Sequence, residues 1–228
     1  MTKIIMIRHG YSTANKEGLF AGWTDAPLTD TGKEQARLCA EFFRCLSDNT
    51  GGARDGINKY GISRVDAIYS SDLSRAYDTS LAVAEVLGLP SVKCEGLREI
   101  FGGKWESVPF AKLSEKYPHD YDVWMNDISR AVCTGGESVK DFAERIRRAV
   151  TEIAERHDGG VVVIATHATP IRVICTLAAG FEAREIGNAT WVSNASVNIF
   201  EYDGSFHAVR TNVTEHLVGF ETELPKNI

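Results

Sequence analysis

The chain has 228 residues, of which 43% are hydrophobic and 25% are charged, as in ordinary soluble globular proteins. A chain of this length buries roughly 70% of its unfolded surface. We therefore expect a single domain over residues 1–228 that needs no disulfide, metal or partner chain in order to fold. The net charge of -6 argues against a nucleic-acid partner or an anionic membrane surface, because both require a basic face. The opening apolar stretch is too short for a signal peptide, and no run reaches the roughly 20 residues of a membrane span. We therefore expect a cytoplasmic protein.

The first predicted strand is the apolar run at residues 3–7, which leads directly into Arg8, His9 and Gly10. Its β-branched residues indicate a buried strand that the glycine ends, which places Arg8 and His9 at the carboxyl end. Ligands bind at that edge in open α/β sheets. An imidazole beside a guanidinium suits an oxyanion such as phosphate. The alternative is a strand-ending histidine that is merely hydrogen-bonded.

The rest of the chain alternates strand and helix patterns, which predicts βαβ units in a three-layer α/β/α fold with a mostly parallel central sheet. Thr29 is a suitable N-cap and Gly88 a suitable helix end. The predicted strands lie at 65–69, 91–94 and 161–166, and the predicted helices at 30–46, 76–87 and 138–156. An aromatic-rich stretch at about 102–134 predicts a small helical cap, and a turn at 203–205 predicts a C-terminal β-hairpin. The polar segment 48–60 predicts an exposed excursion.

Three further polar segments follow predicted strands. Arg75 begins the helix after the second strand, where helix N–H groups favour an anion; the alternative is a solvated surface charge. Glu99 follows the third strand in an apolar setting that would raise its pKa and suit a general acid; the alternative is a carboxylate paired with Arg98. The fourth strand delivers His167. Four such segments at one sheet edge predict a phosphate site.

Together these motifs resemble those of the histidine phosphatase superfamily, in the branch of cofactor-dependent phosphoglycerate mutases and related phosphatases. The matching segments are Arg8-His9-Gly10 with Asn15, residues 20–29 with Gly32, 70–76, 97–99, 135–138 and the segment around His167. The resemblance implies that His9 is the nucleophile, forming a phosphohistidine, and that Glu99 protonates the leaving oxygen. It implies phosphoryl binding by Arg8, Arg75 and His167. The substrate side would be lined by Asn15, Ala21, Gly22 and Ala168.

The resemblance leaves the acceptor of the phosphoryl group open. Water makes the enzyme a phosphatase; a rebound phosphoglycerate makes it a mutase that uses 2,3-bisphosphoglycerate as phosphoryl donor. Mutases carry a hydroxyl residue where this chain has Ala21, and they use a long insertion with an arginine pair. Here Arg130 is the only arginine between Glu99 and Gly135. We therefore favour a phosphatase acting on a less highly charged phosphomonoester.

A second alternative is a catalytically inactive phosphate-binding module, which the complete set of catalytic residue types disfavours. A nucleotide-binding domain is excluded because no P-loop or Gly-x-Gly-x-x-Gly follows the first strand. The five cysteines form no Cys-x-x-Cys pair, which predicts reduced thiols rather than a zinc site. We expect no metal and no other cofactor, and a small-molecule phosphomonoester as the partner. No sequence feature indicates an oligomeric state.

Overall fold

Six strands form one mixed sheet in a computed structural model that describes residues 1–46 and 56–222. They are β1 (Thr2–Arg8), β2 (Ala67–Ser70), β3 (Ser91–Lys93), β4 (Val161–Thr166), β5 (Val197–Tyr202) and β6 (Phe206–Val213). The order across the sheet is β3-β2-β4-β1-β5-β6. The first four strands run parallel, whereas β5 is antiparallel to both β1 and β6. The predicted mostly parallel sheet and the C-terminal hairpin are both confirmed.

The α-helices of the described residues are α1 (Thr13–Glu17), α2 (Asp30–Arg44), α3 (Ser74–Leu87), α4 (Phe110–Lys116), α5 (Pro118–Asn126), α6 (Val139–Arg156) and α7 (Ala168–Ala178). The sequence predicts bounds for α2, α3 and α6, and each of these helices begins and ends within two residues of them. The Thr29 hydroxyl accepts the N–H of Gly32 at 3.1 Å and caps α2 as predicted. Gly88 ends α3 with a φ of 65°, in the left-handed region where glycine is favoured. α3 begins two residues before the predicted start, and Arg75 lies in its first turn, in agreement with its predicted place at the start of the helix.

Alternation of side chains along β1 produces the three layers. Ile4 and Met6 face a core shared with α6, α7 and the cap. Ile5 and Ile7 face the opposite core, which is shared with α2 and α3. Successive strand residues point to opposite faces of a sheet, and all four side chains are fully buried. A continuous apolar strand is therefore explained by helices on both faces.

The aromatic-rich stretch forms the predicted cap, built around α4 and α5. Phe20 joins this cap to the loop that follows α1, because its ring lies 5.5 Å from Trp105, 5.4 Å from Phe110 and 5.9 Å from Trp124. Backbone hydrogen bonds reinforce the contact, with the N–H of Phe20 donating to the carbonyl of Val108 at 2.9 Å. The cap is thus packed firmly against the rest of the protein.

All five cysteines lie within the described ranges and none forms a disulfide, as the sequence predicts. No helix in residues 1–46 or 56–222 is both long enough and apolar enough to cross a bilayer. Of the predicted excursion at 48–60, residues 48–55 lie outside the described residues, as do 223–228 at the C-terminus.

Candidate active site

The register of the sheet brings the two predicted histidines together. Arg8 of β1 pairs with Thr166 of β4, so His9 and His167 leave neighbouring parallel strands at the same edge. The N–H of His9 donates to the carbonyl of Thr166 at 2.9 Å. The two imidazole rings lie 5.2 Å apart, edge to face, and both are buried.

One nitrogen of the His9 ring is committed to the backbone. Its Nδ1 lies 2.7 Å from the carbonyl oxygen of Gly10, and since a carbonyl only accepts, Nδ1 carries the proton of the neutral ring. The lone pair is therefore on Nε2. Burial lowers the pKa of His9 well below its ordinary value of 6.5, and the charges of Arg75 and Arg8 lower it further. The ring is consequently an uncharged nucleophile at neutral pH.

Two guanidinium groups surround His9 without a carboxylate partner. Arg8 donates from Nη1 to the carbonyl of Val192 at 2.6 Å, and Arg75 donates to the carbonyls of Gly22 and Thr24 at 2.8 and 2.9 Å. In the described part of the chain the buried Nε atoms of both arginines have no hydrogen-bond partner, nor does Nδ1 of His167. Burial lowers the pKa of each arginine to about 10, so both stay cationic at neutral pH.

Glu99 is held by backbone N–H groups instead of an arginine. Its carboxyl accepts from Ile100 at 2.8 Å and from Thr169, in the first turn of α7, at 3.3 Å. Arg98, the alternative partner considered from the sequence, pairs with Asp72. Burial raises the pKa of Glu99, although the two N–H groups and Arg75 partly oppose this. The carboxyl is therefore suited to hold a proton and release it.

These side chains open onto one cavity. The members of the predicted site that line it are Arg8, His9, Asn15, Ala21, Gly22, Arg75, Glu99 and Ala168. His167 is not among them: its ring meets that of His9 edge to face, and its Nε2 lies 2.8 Å from the hydroxyl of Ser71, which leaves Nδ1 without a partner among the described residues. The oxygen of the Asn15 amide is occupied by Ser12 and Asn194, which leaves its NH₂ group for a ligand.

The loop beside the cavity depends on a glycine. Gly22 has a φ of 49°, a backbone conformation that favours glycine. A Cβ there would also lie 2.7 Å from Oε1 of Glu106, which accepts the N–H of Trp23 at 2.9 Å. Its neighbour Ala21 contributes a methyl group where a hydroxyl would add a donor. The loop therefore presents backbone and apolar surface to a ligand.

The donor set of the cavity suits an anion rather than a metal ion. Across residues 1–46 and 56–222, no three His, Cys, Asp or Glu side chains converge as metal ligands. Two buried cations with unpartnered N–H groups are suited to stabilise negative charge on phosphoryl oxygens. The arrangement can therefore bind a phosphoryl group beside a neutral imidazole and a carboxyl whose pKa is raised by burial.

A model of the histidine phosphatase superfamily (branch 1) matches residues 4–49 and 54–214 of this sequence. The chain belongs to the histidine phosphatase superfamily. The match includes all four strands whose carboxyl ends carry the candidate site. The resemblance of the sequence motifs is thus confirmed at the level of the family.

Relatives of this histidine phosphatase include enzymes that are named for phosphoserine. Phosphoserine phosphatase 1 of Hydrogenobacter thermophilus is 29% identical over 229 residues, which is 100% of both chains. The metal-independent phosphoserine phosphatase of Arabidopsis thaliana is 31% identical over 203 residues, covering 87% of this chain and 76% of its own. Among solved structures, Bacillus stearothermophilus YhfR aligns with a TM-score of 0.81 at 26% identity, covering 95% of this chain and 100% of that one.

Sequence reasoning missed several residues that position the site in this histidine phosphatase. Asn194 is buried and donates to the carbonyl of His9 at 3.1 Å and to Asn15 at 3.2 Å. Arg145 of α6 binds Glu137 and donates to the carbonyl of Glu99 at 3.1 Å. Both act across long sequence separations, and no local pattern marks them. The one available signal was the Gly-Gly-Glu-Ser motif, which contains Glu137.

Proposed function

We propose that this protein is a phosphomonoester phosphatase that works through a phosphohistidine on His9. In the first step Nε2 of His9 attacks phosphorus while the bond from phosphorus to the ester oxygen breaks. The proton of Glu99 passes to the departing oxygen, which leaves as an alcohol. Arg8 and Arg75 stabilise the charge on the transferring oxygens, with the Asn15 amide and His167 as further donors.

The second step returns the enzyme to its starting state. A water molecule takes the place of the alcohol and gives a proton to the Glu99 carboxylate as its oxygen attacks phosphorus. The bond between phosphorus and Nε2 breaks and inorganic phosphate leaves. His9 is again neutral and Glu99 is again protonated, so one ester and one water give one alcohol and one phosphate.

The observation that carries this proposal is the set of unpartnered buried donors around His9. Leaving a buried N–H of a charged group without an acceptor costs about 1–3 kcal/mol or more, and Arg8 and Arg75 both do so beside the same imidazole. A phosphoryl dianion supplies the missing acceptors and the missing negative charge. The family membership and the phosphatase names of the relatives support the same reaction.

The cavity favours water over a phosphoglycerate as the acceptor. A mutase must also hold the carboxylate and the second phosphate of its substrate, which requires further cations. Among the described residues that line this cavity, Arg8 and Arg75 are the cations, and the phosphoryl group uses both. The mutase therefore remains the second candidate, and only an assay for isomerisation separates it from the phosphatase.

The test measures phosphate release and isomerisation in parallel. We expect the purified full chain to release inorganic phosphate from phosphomonoesters and to carry a phosphohistidine in rapidly quenched samples. With 3-phosphoglycerate and a trace of 2,3-bisphosphoglycerate, we expect no rapid formation of 2-phosphoglycerate. Rapid isomerisation without phosphate release would replace the phosphatase by a mutase.

His9→Ala is the decisive variant, and His207→Ala is its matched control. His207 is an exposed histidine on β6 whose ring contacts Asp203. It pairs with Glu201 of β5, which pairs with Lys3 at the start of β1. His207 therefore lies at the end of the sheet opposite to His9. We expect His9→Ala to lose turnover and the phosphohistidine, and His207→Ala to keep both. A folded wild-type protein that turns over no phosphomonoester would instead indicate a phosphate-binding module.

A further inference from the structure

The part of the cavity beyond the phosphoryl group is walled by apolar side chains. They are Leu19, Phe20, Ile100, Phe110, Trp124 and Trp191. Three of these belong to the packed aromatic cluster of the cap, because Phe20 contacts both Phe110 and Trp124. Phe20, Ile100 and Trp124 are buried, so the wall is fixed by the packing of the core. A preformed apolar surface of this kind binds apolar groups by removing them from water.

The six side chains of this wall carry no charge that could pair with a charged leaving group. Within the described lining, the ionisable side chains are Arg8, His9, Arg75 and Glu99, and the phosphoryl chemistry uses all four. Phosphoserine carries an ammonium and a carboxylate on its leaving side, and burying either without a partner is costly. A side-chain hydroxyl at position 21 is also missing, since this position is Ala21.

We infer that the leaving-group side of this cavity is a subsite for an uncharged apolar alcohol, an aromatic one above all, and that it rejects amino-acid phosphates such as phosphoserine. The inference rests on the proposed phosphatase function and specifies its substrate class. It also separates this chain from the relatives that are named for phosphoserine. The names of those relatives record what they act on, whereas the lining residues of this cavity determine what it accepts.

Arg172 positions one side of this subsite without touching the cavity. Its guanidinium lies 4.3 Å from the ring centre of Trp191, a cation–π geometry. The same group donates from Nε to the carbonyl of Ala189 at 3.1 Å and from Nη2 to that of Ile186 at 2.8 Å. Arg172 thereby holds both the ring of Trp191 and the chain that leads to it. It is a positioning residue for substrate choice.

Three esters with alkoxide leaving groups test the inference on the wild-type protein. Benzyl phosphate carries an apolar ring, ethyl phosphate lacks it, and phosphoserine carries charges instead. From the usual gain for burying an aromatic side chain, we expect kcat/KM for benzyl phosphate to exceed that for ethyl phosphate about 10- to 100-fold. We expect phosphoserine to fall below benzyl phosphate by at least as much. A kcat/KM for phosphoserine equal to or above that for benzyl phosphate would overturn the inference.

Variants locate the effect at the wall. We expect Trp191→Ala to lower the benzyl-to-ethyl ratio of kcat/KM roughly tenfold and Trp191→Phe to restore most of it. Phe110→Ala, a change at a half-buried ring, should lower the ratio independently. Val209→Ala, an exposed change on β6, is the control and should leave the ratio as it is. An unchanged ratio in folded Trp191→Ala and Phe110→Ala would refute the subsite.

A double-mutant cycle tests the role of Arg172. If it acts through Trp191, Arg172→Met lowers the same ratio, and the double variant with Trp191→Ala shows no further loss. Additive losses would contradict the positioning role. The results distinguish the phosphatase function from the apolar subsite. Absence of phosphate release from all three esters would refute the phosphatase function. Phosphate release with phosphoserine as the preferred ester would refute the apolar subsite alone.

Discussion

Replacing Glu99 by glutamine removes the proposed proton donor and keeps the shape of the side chain. The amide oxygen of Glu99→Gln can still accept the N–H of Ile100, now 2.8 Å from the carboxyl. Its NH₂ group then faces the N–H of Thr169, now 3.3 Å away, where two donors meet. The variant therefore loses a transferable proton and one long hydrogen bond.

These two losses differ in size and in what they affect. General acid catalysis contributes about 10²- to 10⁴-fold, which corresponds to about 3–5 kcal/mol of transition-state stabilisation. The lost hydrogen bond costs about 1–3 kcal/mol, but it weakens the site for every substrate alike. The proton matters only when the leaving oxygen is too basic to depart as an anion. The ratio of kcat/KM for two esters cancels the effect of the lost hydrogen bond and retains the effect of the lost proton.

The assay compares benzyl phosphate with 4-nitrophenyl phosphate, since both place a ring in the same subsite. The alkoxide of the first requires a proton, whereas the nitrophenolate of the second departs without one. We expect Glu99→Gln to lower kcat/KM for the benzyl ester 10²- to 10⁴-fold more than for the nitrophenyl ester. Equal losses for the two esters would refute the assignment of Glu99 as the general acid.

Three further predictions concern pH, metals and folding. A general acid works only when it is protonated, so kcat/KM for benzyl phosphate should fall as the pH rises through the raised pKa of Glu99. Because the pKa of His9 lies below the ordinary histidine value of 6.5, the loss of activity in acid should begin below that pH. A profile without a fall on the alkaline side would contradict this. Because arginines compensate the phosphoryl charge, activity should survive EDTA, and loss reversed by a divalent metal would refute the scheme. Gly32→Ala would place a Cβ 2.2 Å from the carbonyl oxygen of Tyr11. We expect this clash to lower the free energy of unfolding by about 1–3 kcal/mol or more and Tm by at least several degrees. Gly187→Ala, whose Cβ would meet only a methyl of Ile128 at 3.3 Å, is the control, and equal melting of the two variants would contradict the steric argument.

The phosphoryl side of the site was predictable because it follows local rules. His9 and His167 each stand one residue beyond a strand, and the register of β1 with β4 brings them together. Arg75 lies in the first turn of a helix that a glycine signal delimits. A βαβ pattern already implies that strand ends of this kind share an edge. The strand pattern and the residue types were therefore sufficient to place these three residues together.

The leaving-group side was not predictable in the same way. Its wall combines side chains from the loop after α1, the cap and the segment before β5, which meet only in the folded chain. Trp191 lies in an irregular segment, and it is fixed by Arg172 of α7. The same holds for one contact on the phosphoryl side, where Asn194 reaches back across 185 residues to His9. Periodicity and caps carry no information about such contacts, because tertiary packing determines them.

The histidines depend on strand register, whereas the apolar wall depends on loop and cap packing, and this difference affects how such an enzyme changes its substrate. A one-residue slip between β1 and β4 would turn every core side chain of the strand to the other face, so the pairing that sets His9 beside His167 cannot vary without loss of the fold. Trp191 and Phe110 are only half buried, and replacing them alters the wall while the strand register stays the same. The alcohol can therefore differ between enzymes that share this strand pairing, and we expect the lining of the cap, rather than overall identity, to predict the substrate.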